Sequence, residues 1–258
     1  LIDFDAAYAA ANPTNFDAAH ISTLSQWSSL TSTQQTAAAG VNLVNYLRGQ
    51  YGYEDRTANA VANRLYRYRE AVLGDALESQ PAFISKPVFS YPYAGYTEYK
   101  TAQAGRAGVV YMGANDGMMH AFDASTGVES WAYVPSMVIP NMWKLADANY
   151  ATLHRNFVNG SPITSDICTA NCSDSATAVW KTILVAGLSG GGRGYYALDI
   201  TTPSSPVLLW EFTPTTGIGA VKNDDVGYSF GQPTITRKAD GTWAVLVTSG
   251  HNNTSPGT

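Results

Sequence analysis

Cysteine is all but missing from this 258-residue chain. Only Cys168 and Cys172 occur, and two thiols cannot complete the four-ligand set of a structural zinc site. Charge is scarce as well: Asp, Glu, Lys and Arg make up 14% of the residues, 15 basic against 20 acidic, for a net charge of -5 and an isoelectric point near 5.3. With no basic field to displace counterions from a polyanion, nucleic acid is not expected as a partner. No apolar run approaches the ~18 residues needed to cross a bilayer, and the sequence opens at Leu1 with neither an initiator methionine nor a basic-then-apolar stretch. Residues 250–258 stop in turn-type residues just after an apolar run. The chain is therefore expected to be an internal piece of a longer protein.

The signatures of catalysis are missing too. His20, His120, His154 and His251 fall at scattered spacings, with no H-x-H or H-E-x-x-H arrangement, and no G-x-S-x-G elbow occurs. The glycine-rich residues 188–194 lack the Lys-Ser/Thr of a phosphate loop and lie between two apolar runs, so a hairpin turn is expected there. Asn223-Asp224-Asp225 reads as a solvated loop, since calcium wants six to eight oxygens. These residues supply no catalytic set.

What is present is aromatic and turn-rich: 12% Phe, Trp and Tyr, and 23 glycines, a composition that suits many short strands joined by tight turns. Helix is expected only within the first 70 residues. There Ser32-Thr33-Gln34-Gln35 reads as a capping box, Val41, Val44 and Leu47 form one apolar stripe with Leu43 alongside, and Gly49 is the stop. A weaker helix is expected over residues 58–68, with Arg64, Arg67 and Arg69 on a solvated face. Residues 1–70 thus form a helical lead-in.

Beyond Gly74 the sequence repeats. A turn and proline lead into a short strand at Ser79-Gln80-Pro81, Gly160-Ser161-Pro162 and Gly231-Gln232-Pro233; an apolar strand ending on glycine follows in Val109 to Gly113, Ile183 to Gly187 and Val245 to Gly250. Third and fourth beats are Met119 to Asp123 with Trp131 to Val134, and Tyr195 to Asp199 with Trp210 to Phe212. Four short strands per unit are how a propeller blade reads. The blades span about residues 79–135, 160–212 and 231–258, within an incomplete propeller over 71–258, and segments near 86–106, 137–156 and the cysteine loop are insertions.

Ala121, Asp123, Thr126, Gly127 and Trp131 fit A-x-D-x-x-T-G-x-x-x-W. Asp and Thr tie the turn, Gly supplies a positive φ, and Trp covers the neighbouring blade with its indole satisfied, while Glu129 stays exposed and dispensable. This pattern resembles the tryptophan-docking motif of quinoprotein-type propellers. Ala197, Asp199 and Trp210 form a degenerate second copy, with Pro203 where glycine is expected. The fold expected is all-β, a quinoprotein-like propeller of about two and a half blades with a helical N-terminal lead-in.

In order along the chain come Val41 to Gly49, Val72 to Asp75, Val110 to Asp123, Ala132 to Pro135, His154 to Gly160, Gly190 to Gly194 and Ala197 to Asp199. Together they resemble the C-terminal region of the PilC/PilY type IV pilus tip proteins, Asn159 departing from the Asp usual there. The resemblance implies an exported, cell-surface or outer-membrane-associated protein of the pilus tip. It would bind without catalysing, act in adhesion and in pilus assembly and retraction, and have as partners minor pilins, a host or abiotic surface and the rest of its own propeller. It implies no cofactor in this stretch; the calcium-binding Asp-rich loop of some members would fall beyond Thr258.

Two rivals are a quinone-dependent dehydrogenase propeller, which as a family uses adjacent cysteines and a calcium cluster not visible here, and a periplasmic propeller scaffold for protein assembly, which would lack the helical lead-in. Cys168 and Cys172 lie in a polar stretch, where a local disulfide suits an exported protein. Two free thiols in a solvated loop are the alternative; a thioredoxin-like pair fits worst, the spacing being one residue too long.

Overall fold

The structure is a computed structural model that describes residues 3–214 and 220–252. The chain divides into two compact units, Leu1–Asp75 with Val138–Arg155, and Ala76–Met137 with Asn156–Thr258. Among the described residues no helix is long and apolar enough to cross a membrane.

The first unit is built from short capped helices: α1 (Ala6–Ala11), α2 (Ala18–Ile21), α3 (Ser32–Ala37) and α4 (Val41–Leu47). Asp5 caps α1 by accepting from the Ala7 and Tyr8 amides at 2.8 and 3.0 Å, filling donors that a helix start leaves open. The expected capping box exists one residue earlier than read, between Thr31 and Gln34. The single helix expected to run on to Gly49 is two helices, because Gly40 takes φ +68° and turns the chain between them. Leu43, Val44, Tyr46 and Leu47 of α4 join Phe16, Ile21, Leu65 and Tyr66 in the core.

The helix expected over residues 58–68 is a correction. Only the single 3-10 turn Val61–Asn63 forms, and the chain then runs extended so that Tyr66 bridges Glu54. Nor is the arginine cluster a solvated face: Arg69 is buried and its Nε donates to the fully buried Glu54 at 2.6 Å, while Arg67 donates to the Leu145 carbonyl at 2.7 Å and stacks on Tyr150. Val138–Arg155, read from sequence as an insertion of the repeat region, belongs to this unit. It is fastened by Asp147, which accepts from the Ser25 amide and hydroxyl, and by Gln26, which brackets Ala146 and Ala148.

The second unit carries the sheets. Strands β1 (Ala82–Ile84), β2 (Val109–Ala114), β3 (Met118–Asp123) and β4 (Glu129–Tyr133) form an antiparallel meander, the first blade. Strands β5 (Ile163–Ala170), β6 (Val179–Gly187), β7 (Tyr195–Asp199) and β8 (Val207–Thr213) repeat it, and β9 (Ala220–Lys222), not expected from the sequence, pairs parallel to β8. Strands β10 (Thr234–Arg237) and β11 (Trp243–Leu246) open a third blade. The strand expected to run to Gly250 stops at Leu246. The two full blades bulge at matching places, Ala121/Phe122 and Ala197/Leu198, each just before the motif aspartate. This is a partial propeller, largely β with few helices.

The hairpin expected at residues 188–194 joins β6 to β7. The Gly191 amide donates to the Leu188 carbonyl at 2.9 Å, and a Cβ on Gly191 would stand 1.8 Å from the Phe157 carbonyl oxygen. The glycines there serve close backbone packing.

Candidate functional site: the contacts between blades

Asp123 ends β3 and organises the turn to β4. Its Oδ1 accepts from the Ser125 and Thr126 amides at 2.9 Å each and from both hydroxyls, which pulls its carboxyl down to about 2. Gly127, at φ +72°, returns its amide to the Asp123 carbonyl at 2.8 Å, a conformation that side chains resist. The turn delivers Trp131, whose Nε1 donates to the Pro203 carbonyl at 2.7 Å and whose ring meets Tyr111 at 5.7 Å. Trp131 is half-buried rather than buried. Ala121, its cross-strand partner, is fully buried.

The second copy departs where the sequence does. Pro203 has no amide to return, so the bond made by Gly127 cannot form. Asp199 instead accepts from the Thr201 amide at 3.0 Å and pairs with Lys181 at 2.8 Å; burial raises its carboxyl, and these bonds outweigh that and hold it below the usual range. Ala197 is fully buried. Trp210 makes no indole hydrogen bond among the described residues; it lines an apolar cavity of about 370 Å³ with Ile167, Ile183, Ile235, Trp243 and Val245.

Three further polar arrangements escaped the sequence reading. Glu211 on β8, almost wholly buried, accepts from Tyr133 Oη at 2.6 Å, the Ser136 amide at 2.7 Å and the Ser136 hydroxyl, so one carboxylate joins the first blade to the second. Burial and the adjacent Glu211 push the Tyr133 hydroxyl far up. His120, buried on β3, is held between Glu129 (Nδ1, 2.5 Å) and Asp116 (Nε2, 3.1 Å). Burial disfavours the imidazolium, but the two carboxylates override it and push the pKa to about 9. Glu129, expected to be dispensable, is therefore a partner of a buried cation. Asn159, also buried, accepts from the Glu78 amide at 3.1 Å and leaves its Nδ2 without a partner. No sequence spacing gives the His120–Glu129 or Tyr133–Glu211 pairs, because strand register and blade stacking create them.

Cys168 and Cys172 form a disulfide. The loop is exposed as its composition implies, at residues 169–171 and 173–177, while Cys172 is half-buried and Cys168, on β5, is buried against Tyr96 and Trp180. Among the described residues no group of three or more His, Cys, Asp or Glu is placed to hold a metal ion. Both nitrogens of His120 face carboxylates, and a protonated ring has no lone pair for a metal.

Two successive antiparallel blades, with the indole of Trp131 on the first bonded to the Pro203 carbonyl of the second, form part of a β-propeller. The family described as "PilY1 beta-propeller domain" matches residues 73–258, and the chain belongs to that family. Similar proteins include the "Type IV pilus biogenesis factor PilY1 homolog" of Xylella fastidiosa (strain Temecula1), 36% identical over 226 residues, covering 85% of this chain and 17% of that protein. Another is the "Type IV pilus biogenesis factor PilY1" of Pseudomonas aeruginosa (strain UCBPP-PA14), 34% identical over 229 residues, covering 85% of this chain and 18% of that protein. The crystal structure of the Pseudomonas aeruginosa PilY1 C-terminal domain superposes with a TM-score of 0.52 at 32% identity, over 67% of this chain and 32% of that one. The chain thus spans under a fifth of these relatives' length.

Proposed function

We propose that the chain is part of a non-enzymatic binding protein of the type IV pilus, exported to the cell surface and working at the pilus tip in adhesion and in the balance of pilus extension and retraction. The observation that carries this reading is the family membership: the relatives are named type IV pilus biogenesis factors. The internal chemistry supports it. Asp123, Trp131, Glu211 and His120 spend their polar atoms on turns and blade contacts. On this reading the blades hold no quinone, any calcium belongs to the continuation of the chain, and the partners are minor pilins, a host or abiotic surface and further blades.

The test is made in the organism that encodes the protein. Surface pili and attached cells are counted after deletion of the gene, and after its restoration with wild type or with a version lacking residues 73–258. The reading expects loss on deletion, recovery with wild type and no recovery without the blades. Unchanged piliation and attachment on deletion would overturn it, as would a bound quinone absorbance in the purified full-length protein.

A further inference from the structure

Residues 86–106 leave the first blade between β1 and β2, and their side chains reach the other two blades. Their helix α5 (Tyr96–Ala102) and the chain before it contact the second blade through four side-chain bonds. Tyr91 meets Ser165 Oγ at 3.1 Å, Tyr96 donates to Asp166 at 2.7 Å, Tyr99 meets Thr182 Oγ1 at 2.7 Å, and Trp180 Nε1 donates to the Ala94 carbonyl at 2.9 Å. The third blade joins the same cluster: Trp243 packs edge-on to Tyr91 at 5.4 Å, and the Arg237 guanidinium covers Tyr93 at 4.1 Å.

Under this cluster lies the disulfide. Cys168 is paired across the sheet with Trp180 and is 6% exposed, packed on Tyr96. The limb that returns from the cysteine loop presses on the segment: a Cβ on Gly95, at φ +74°, would stand 2.7 Å from Ala178 Cβ. Two thiol sulfurs cannot remain at bonding distance, so breaking the bond forces one sulfur out of this packed wall.

We propose that residues 86–106 are a strap fastening three successive blades, and that the Cys168–Cys172 disulfide is its redox-sensitive seat. With the bond intact the strap is held down; with the bond reduced it is released. A dithiol supplies the two electrons. One thiolate attacks Sγ of half-buried Cys172, the S–S bond breaks and Cys168 leaves as a thiolate that takes a proton. The reductant's second thiolate then attacks the mixed disulfide, freeing Cys172 as a thiol and leaving the reductant as its own cyclic disulfide.

Trypsin reads the outcome, because Lys100 and Arg106 lie in the strap while Arg48 lies in the helical unit. Residues 1–258 have no other cysteine, so within them dithiothreitol acts on this bond alone. Reduction is expected to speed cleavage after Lys100 and Arg106 by at least tenfold, with Arg48 unchanged. The C168S/C172S variant should reproduce that pattern without reductant, and Tyr96→Phe should speed strap cleavage severalfold with the bond intact. Strap cleavage within twofold of the oxidised rate would overturn the proposal. So would equal acceleration at Arg48, or a bond that dithiothreitol leaves intact in the folded chain.

Discussion

The indole of Trp131 and the carbonyl of Pro203 stand 2.7 Å apart, so the tryptophan that closes the first blade's motif is tied to the residue that breaks the pattern in the second. Pro203 surrenders an amide and keeps its acceptor, and the acceptor is what docking uses. Trp131→Ala removes the bond and the contact with Tyr111, and should cost about 3 kcal/mol in urea unfolding, near the low end for a large aromatic because the ring is half-buried. Trp131→Phe keeps most of the ring and should lose about 1 kcal/mol, the net worth of one hydrogen bond. An alanine variant within ~0.5 kcal/mol of wild type, the scatter of neutral surface substitutions, would remove the docking role.

Much of this unit is legible in the sequence. The repeated turn, apolar strand and aspartate gave β2, β3, β6 and β7, because period and turn chemistry are local. The helical region read less well: apolar spacing over residues 58–68 suited a helix, but burial of Leu65 and Tyr66 draws the chain extended. The polar clusters were invisible for another reason. Glu211 lies 78 residues from Tyr133, and Glu54 lies 15 from Arg69, so only folding brings them together.

His120 makes the stability of the second unit depend on pH. Its folded pKa, raised to about 9, exceeds the unfolded value of 6.5. The stabilisation is therefore fully present below pH ~6.5 and is lost as pH rises through ~9. Denaturation midpoints should fall across that window, and Glu129→Gln should flatten the fall by lowering the folded pKa. Histidine ring resonances followed by NMR check the assignment; a His120 titration near 6.5 would contradict it.

Glu211 should behave as a linchpin between blades. Glu211→Ala strands Tyr133 Oη and the Ser136 amide without an acceptor and should cost about 3 kcal/mol, whereas Tyr133→Phe alone should cost about 1 to 2 kcal/mol. A double-mutant cycle should show the two effects coupled by about 1 kcal/mol or more. Simple additivity would mean that the bond adds nothing to stability.

In the helical unit, Arg69→Ala leaves Glu54 buried with only Arg56 for a charged partner, and should cost about 3 to 5 kcal/mol. Replacing Glu54 and Arg69 together by apolar residues of similar size should recover much of that loss, measured by thermal unfolding. A double variant as unstable as Arg69→Ala would show that the uncompensated charge is not the cause.

Indole hydrogen exchange tests the central claim, that successive blades are held by tryptophan docking, most directly. With the six tryptophans labelled with nitrogen-15 and assigned one at a time by substitution, Trp131 Nε1–H should exchange slowly, as should Trp180 Nε1–H on the Ala94 carbonyl. Trp210, at the open cavity without an indole partner, should exchange much faster. A Trp131 indole exchanging as fast as that of Trp210 would mean that the first blade does not dock on the second in solution.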